Sequence, residues 1–160
     1  MNGDSPITKK GHDKVQAELR QLITVDREEI KQAISEAREL GDLKENAEYH
    51  SAKEKQSILE GRISQLQGII ATSKIVNIAD VKSDHIVFGA TINLLDVDKD
   101  ETVTYQIVGD VEADFNSGKI SFKSPLGKAL IGKEEGDTVI VKAPKGDVEY
   151  EVESFEFIED

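Results

Sequence analysis

The stretch ARELGDLKENAEYHSAKEKQ, residues 37 to 56, places Gly41 and three acids, Asp42, Glu45 and Glu48, between two long apolar patterns of helical period. Upstream, Val15, Leu19, Leu22, Ile30, Ala33, Ala37 and Leu40 step by about three and four, with Asp26 as the weak step. Downstream, Tyr49, Ala52, Gln56, Leu59, Ile63, Leu66 and Ile70 repeat the pattern. Gly41 can turn left-handed without strain and so ends the first helix. Thr8 is a suitable N-cap for it, and Pro6 confines the chain just before. Two apolar seams joined by a tight turn predict a long antiparallel coiled-coil hairpin, each stripe burying the other. At ~1.5 Å per residue, a first helix of roughly thirty residues is on the order of 45 Å long, a probe rather than a pocket.

From Ile75 onward the period changes. KIVNI, HIVFGATINLL, TVTYQIV, KISF, DTVIVKA and VEYEVESFEFI are short β-rich runs separated by Gly, Asp and Lys turns. Between them SPLGKALIG reads as a short helix, with Ser124 as N-cap, Pro125 in its first turn and Gly132 beyond its end. The expected architecture is therefore α+β in two domains. Residues 1–74 form the hairpin, with an acidic tip at 41–48, and residues 75–160 form a small, mostly antiparallel sheet packed with one helix.

Charge divides at the same place. Residues 1–74 hold 12 Lys and Arg against 13 Asp and Glu; residues 75–160 hold 8 against 19 and no arginine. A net charge of −12 argues against a nucleic-acid binder that works by neutralising phosphates. No window approaches the ~18 apolar residues of a membrane span, and the first residues lack a signal-peptide core. A cytoplasmic protein is expected. The chain has no cysteine, hence no disulfide framework and no thiolate chemistry.

Few residues carry chemistry. Asp96, Asp98 and Asp100 begin like a calcium loop, but Glu101 and Ile107 stand where Gly and Glu are needed, so DVDKDE reads as a hairpin turn. His12, His50 and His85 have no paired-ligand spacing. There is no phosphate loop and no nucleophile elbow. At the tip, two readings compete. Asp42 as N-cap with Glu45 at N3 approaches a capping box, and both acids would favour the positive helix end. Yet three acids exceed what a cap needs, and they sit among Arg38, Lys44, His50, Lys53 and Lys55. Magnesium is often held by one or two carboxylates plus waters and phosphate oxygens, so a tip like this could complete a site whose other ligands lie elsewhere.

Residues 37–56 resemble the tip motif of the Gre family of bacterial transcript-cleavage elongation factors, and SFKSPLGKALIGKEEGD, residues 121–137, resembles its second signature. The modest basic content around the tip is similar to the less basic of the family's two types. The resemblance implies a hairpin that enters the secondary channel of bacterial RNA polymerase, and an FK506-binding-protein-like (FKBP-like) domain that docks at the channel rim. It implies that Asp42 and Glu45 help hold a second Mg²⁺, shared with the polymerase, so that the polymerase cuts the extruded 3′ end of backtracked RNA. The chain would then be no free-standing enzyme, and would bind no magnesium stably by itself. Arg38 and Lys53 resemble the family's RNA-contacting basic patch, although Arg38 could instead pair with Asp42 at i,i+4. Ser124 and Pro125 resemble the polymerase-docking loop. Glu48 reads as helix surface, and the seams look satisfied within one monomeric chain. The alternatives are a channel regulator that does not promote cleavage, and, by fold analogy alone, a prolyl isomerase.

Overall fold

A computed structural model describes residues 5–159 of the chain. They divide into two compact units, one of residues 12–73 and one that joins residues 5–11 to residues 74–159. One division lies between residues 73 and 74. The other follows from strand β1 (Ser5–Thr8), which pairs with β2 (Ser73–Val76), so residues 5–11 group with the C-terminal unit and not with the expected hairpin of residues 1–74.

Helix α1 (Lys9–Gln21) continues through one wide π-turn, Leu22–Asp26, into α2 (Arg27–Glu39). The turn falls on Ile23, Thr24 and Val25, three adjacent β-branched residues that crowd a regular helix. The Thr24 hydroxyl also donates to the Arg20 carbonyl at 2.7 Å. A π-turn absorbs one extra residue, so apolar steps of four stay on one face across Asp26. Beyond it Ile30 is half-buried and Ala37 buried, as expected, but Ile34 is buried in place of Ala33 and Leu40 is exposed.

The return helix α3 (Ala47–Thr72) keeps the expected stripe: Ala52, Leu59, Ile63 and Leu66 are buried, and Tyr49, Gln56 and Ile70 are half-buried. Two paired ion bridges tie it to the outgoing run. Arg27 donates to Glu60 through Nε (3.0 Å) and Nη2 (2.8 Å), and Arg62 donates to Glu18 through Nε (2.7 Å) and Nη2 (2.9 Å). Both arrangements are fork-to-fork, the geometry that makes an exposed pair most effective.

The C-terminal unit is a curled, mixed five-stranded sheet in the order β5-β4-β3-β7-β6. Its strands are β3 (Thr91–Asp96), β4 (Glu101–Val108), β5 (Lys119–Ser121), β6 (Thr138–Ala143) and β7 (Gly146–Glu156). Neighbours run antiparallel except β4 and β5, which are parallel. Two short 3₁₀ turns, Asp110–Glu112 and Phe115–Ser117, carry the chain between that pair. DVDKDE is the β3–β4 hairpin, closed by the pairing of Asp96 with Glu101. KIVNI contributes to β2 outside this sheet, because β1 supplies it with a separate partner. Ile92, Leu94, Ile107, Ile120, Val139 and Val152 form the core with Leu130 of α4 (Pro125–Leu130). Among the described residues no helix is long and apolar enough to cross a membrane.

The start of α1 is locked by a residue distant in sequence. Thr8 Oγ1 accepts from Gly11 N (3.0 Å) as an N-cap, and the same hydroxyl donates to the Glu112 carboxylate. That carboxylate also accepts from Thr8 N and Gly109 N, both at 3.0 Å. A Cβ on Gly11 would lie 2.2 Å from Glu112 Oε1. With three donors holding the carboxylate, it could move aside only by giving up those bonds.

Two predictions rest on these contacts. Gly11→Ala should destabilise the chain by about 1–3 kcal/mol, and by much less in a Glu112→Ala background; urea unfolding of the two single variants and the double variant measures this coupling. The second concerns pH. The hydrogen bond from Arg62 holds the Glu18 carboxyl below its ordinary value, and that from Arg27 does the same for Glu60. A depressed carboxyl pKa contributes stability that is present above the ordinary value of 4.5 and is lost as pH falls through the lower folded value. Thermal unfolding followed by circular dichroism should show the hairpin weakening on acidification in that range, and less steeply for Arg62→Gln.

Candidate functional site

The reversal at residues 40–46 is built by satisfying the free ends of two helices. Leu40 N and Gly41 N bond back to the Ala37 and Arg38 carbonyls (3.1 and 3.3 Å), tightening the last turn of α2. Gly41 then takes φ +117°, a conformation open to glycine and strained for other residues. Asn46, in an extended conformation, is the N-cap of α3: its Oδ1 accepts from Tyr49 N at 3.0 Å. Its Nδ2 donates to the Ala37 carbonyl at 2.5 Å, so one side chain closes both helix ends.

This arrangement corrects the capping assignment. Asp42 does not cap α3. Its Oδ1 instead accepts from Lys44 N at 3.0 Å, a local turn within the reversal. Glu45 lies before the cap and makes no capping box. Both acids are exposed, as is Glu48 in the first turn of α3. The competition between cap and metal ligand therefore disappears at these residues, because the capping is done by Asn46. Asn46 was legible as a cap in principle, since Asn leads the N-cap ranking, but Asp42 four residues earlier satisfied the same rule.

The basic residues have separate partners. Arg38 makes no ion pair with Asp42 among the described residues; its guanidinium lies 5.9 Å from the centroid of the Tyr49 ring. Lys53 Nζ donates to Gln56 Oε1 at 2.9 Å. Arg38 and Lys53 nevertheless line one open groove of about 480 Å³, together with Lys31, Ile34, Ser35, Glu39 and Gln56. Lys31 stands seven residues before Arg38, two helical turns along the same face, and that spacing is the one signal for it in the sequence. A second groove of about 590 Å³ has a more apolar lining, including Ile30, Ala33, Ala37, Leu40 and Ala52, and takes in Glu48.

No group of three or more His, Cys, Asp or Glu side chains among the described residues could enclose a metal ion. Asp42 and Glu45 offer hard, exposed carboxylate oxygens. Such donors suit Mg²⁺ as a partial ligand set and are too few to enclose it.

In the C-terminal unit, Ser124 caps α4 as expected. Its Oγ accepts from Gly127 N (3.0 Å) and donates to the Ser121 carbonyl (2.6 Å), with Pro125 at the first helical position. The Ser124 hydroxyl is thus engaged within the loop, and the exposed group is the Pro125 ring. Gly127 is required there, since a Cβ would stand 2.3 Å from the Ser121 carbonyl oxygen. Asp110 braces the same loop through Lys123 Nζ at 3.1 Å and the Ser121 hydroxyl.

Residues 5–75 match the family described as "Transcription elongation factor, N-terminal", and residues 81–157 match "Transcription elongation factor, GreA/GreB, C-term". The chain is 50% identical over 155 residues to transcription elongation factor GreA of Anaeromyxobacter sp. (strain K), covering 97% of this chain and 93% of that protein. It is 52% identical over 148 residues to the GreA of Alkalilimnicola ehrlichii, covering 92% and 94%. Among solved structures, GreA factor homolog 1 of Thermus thermophilus is 26% identical, covering 96% of this chain and 99% of that one, with a TM-score of 0.44.

Because the cap is Asn46, Asn46→Ala should lower hairpin stability by about 0.5–2 kcal/mol. Asp42→Asn should leave both helical content and stability almost unchanged. Circular dichroism and urea unfolding of the two variants distinguish these outcomes.

Proposed function

The chain belongs to the GreA/GreB family of transcription elongation factors, and on that premise we propose that it stimulates cleavage of backtracked RNA by bacterial RNA polymerase. The observation carrying this reading is the exposed pair Asp42 and Glu45 on a braced reversal at the end of the helical hairpin. The hairpin, acting as a coiled coil, enters the secondary channel and brings these carboxylates to the polymerase active site. The FKBP-like C-terminal domain docks at the channel rim through the Ser124–Pro125 loop. Its acidic composition suits a basic protein surface. The chain acts as a monomer in the cytoplasm.

Asp42 and Glu45 would be the residues that hold a second Mg²⁺ shared with the polymerase. When bound, that ion supplies water activation and offsets charge developing on the scissile phosphate. The chain's own part is to present oxygen donors and to orient the RNA end. Asp42 keeps Oδ2 available while Oδ1 holds Lys44 N. Arg38, Lys53 and the groove between them hold the phosphates of the extruded 3′ end. The catalytic activity belongs to the polymerase, and this chain completes its site.

The test adds the protein to arrested elongation complexes with Mg²⁺. Short 3′ fragments should appear; inhibition without fragments would instead identify a channel regulator that does not promote cleavage. Asp42→Asn and Glu45→Gln should each reduce cleavage by at least about a hundredfold while leaving competition for polymerase nearly unchanged. Normal cleavage by either variant removes that acid from the proposed ligand set.

A further inference from the structure

The peptide that joins Lys44 to Glu45 is held by a side chain outside the motif's acids. His50 lies in the first turns of α3, where its backbone N–H bonds to the Asn46 carbonyl at 3.1 Å. Its ring turns back over the reversal and places Nε2 3.0 Å from the Lys44 carbonyl oxygen. A carbonyl can only accept, so Nε2 carries the proton and donates. The neutral Nε2–H tautomer and the imidazolium both provide this donor.

Lys44 is thereby fixed at both of its backbone polar groups: its N–H by Asp42 and its C=O by His50. The carbonyl that His50 holds belongs to the peptide plane leading directly into Glu45. Rotation of that plane would swing the Glu45 Cα–Cβ bond, so the imidazole restricts where the Glu45 carboxylate points. The imidazole is itself braced. The Tyr49 ring meets it edge-on, with centroids 5.6 Å apart and planes at 68°, and the Tyr49 ring carries the Arg38 guanidinium. A continuous set of contacts thus runs from the groove residue Arg38 through Tyr49 and His50 to the Lys44 carbonyl, in the peptide that leads into Glu45.

We propose that His50 is a positioning residue: by donating Nε2–H to the Lys44 carbonyl it aims Glu45 for RNA cleavage, which rests on the function proposed above. It touches neither RNA nor metal in this role and acts only through the turn. Removing the donor leaves Asn46 to cap α3, so the helix should survive while the turn loosens.

The test compares His50→Leu with His50→Gln, whose amide nitrogen can replace Nε2 as a donor. In the free full-length chain, backbone ¹⁵N order parameters at residues 43–45 should fall toward the flexible range, below about 0.6, in His50→Leu and return in His50→Gln. Helical content should match the parent in both. At saturating factor, His50→Leu should stimulate cleavage roughly three- to tenfold less, with an unchanged half-saturating concentration, and His50→Gln should restore it. Unchanged order parameters in His50→Leu would overturn the proposal. So would a His50→Gln variant as defective as His50→Leu, since the ring and not its N–H would then matter. If the parent chain itself stimulates no cleavage, the functional reading fails, while the order parameters still decide whether His50 holds the turn.

Discussion

Two helix ends meet within a few residues at the reversal, and their unpaired backbone groups must find partners without a solvent-shielding core around them. Asn46 resolves this by using both ends of its amide, accepting from Tyr49 N and donating to the Ala37 carbonyl. Had Asp42 been the cap, its carboxylate would have been engaged with backbone amides at the start of α3. With the cap moved to Asn46, Asp42 makes a single bond to Lys44 N and Glu45 stays exposed. Helix capping and the exposed carboxylates are thereby supplied by different residues. A cap worth about 1 kcal/mol is in this way compatible with carboxylates available to a partner.

The C-terminal unit shows a comparable division of labour. The Ser124 hydroxyl is engaged with Gly127 and Ser121, and Asp110 holds the loop from the other side through Lys123. Of Ser124 and Pro125, the exposed residue is Pro125. At the chain's beginning, Glu112 and Thr8 bind each other and set the start of α1 within the same unit. Gly11 and Gly127 are demanded by close approach, of a carboxylate in one case and of a backbone carbonyl in the other. Neither takes a left-handed conformation, so no turn signal marks them in the sequence.

Much of this was readable from spacing. The α3 seam from Tyr49 to Ile70 was legible residue by residue, because an uninterrupted helix preserves its period over its whole length. In the α1–α2 seam Ile30 and Ala37 lie where the spacing puts them, half-buried and buried; the departures after Leu22–Asp26 are Ile34, buried in place of Ala33, and the exposed Leu40. Ser124, Pro125 and Gly132 could be assigned because capping and helix termination use short-range bonds. Asp42 and Asn46 both satisfy the local preference for a cap, and only the folded turn selects Asn46.

The order of residues along the chain was enough to determine the two apolar seams, the change from helical to strand period near Ile75, the uneven charge of the two halves and the acids between the helices. Each depends on neighbours a few positions apart, and short-range periodicity records such relations directly. Tertiary structure alone decided which residue caps α3, how Arg38 and Lys53 share a groove, and that His50 reaches the Lys44 carbonyl. It also decided that β1 pairs with β2 and that Glu112 meets Thr8 across 104 positions. Those contacts form between side chains and backbone groups that folding brings together, and composition or spacing carries no trace of such distances.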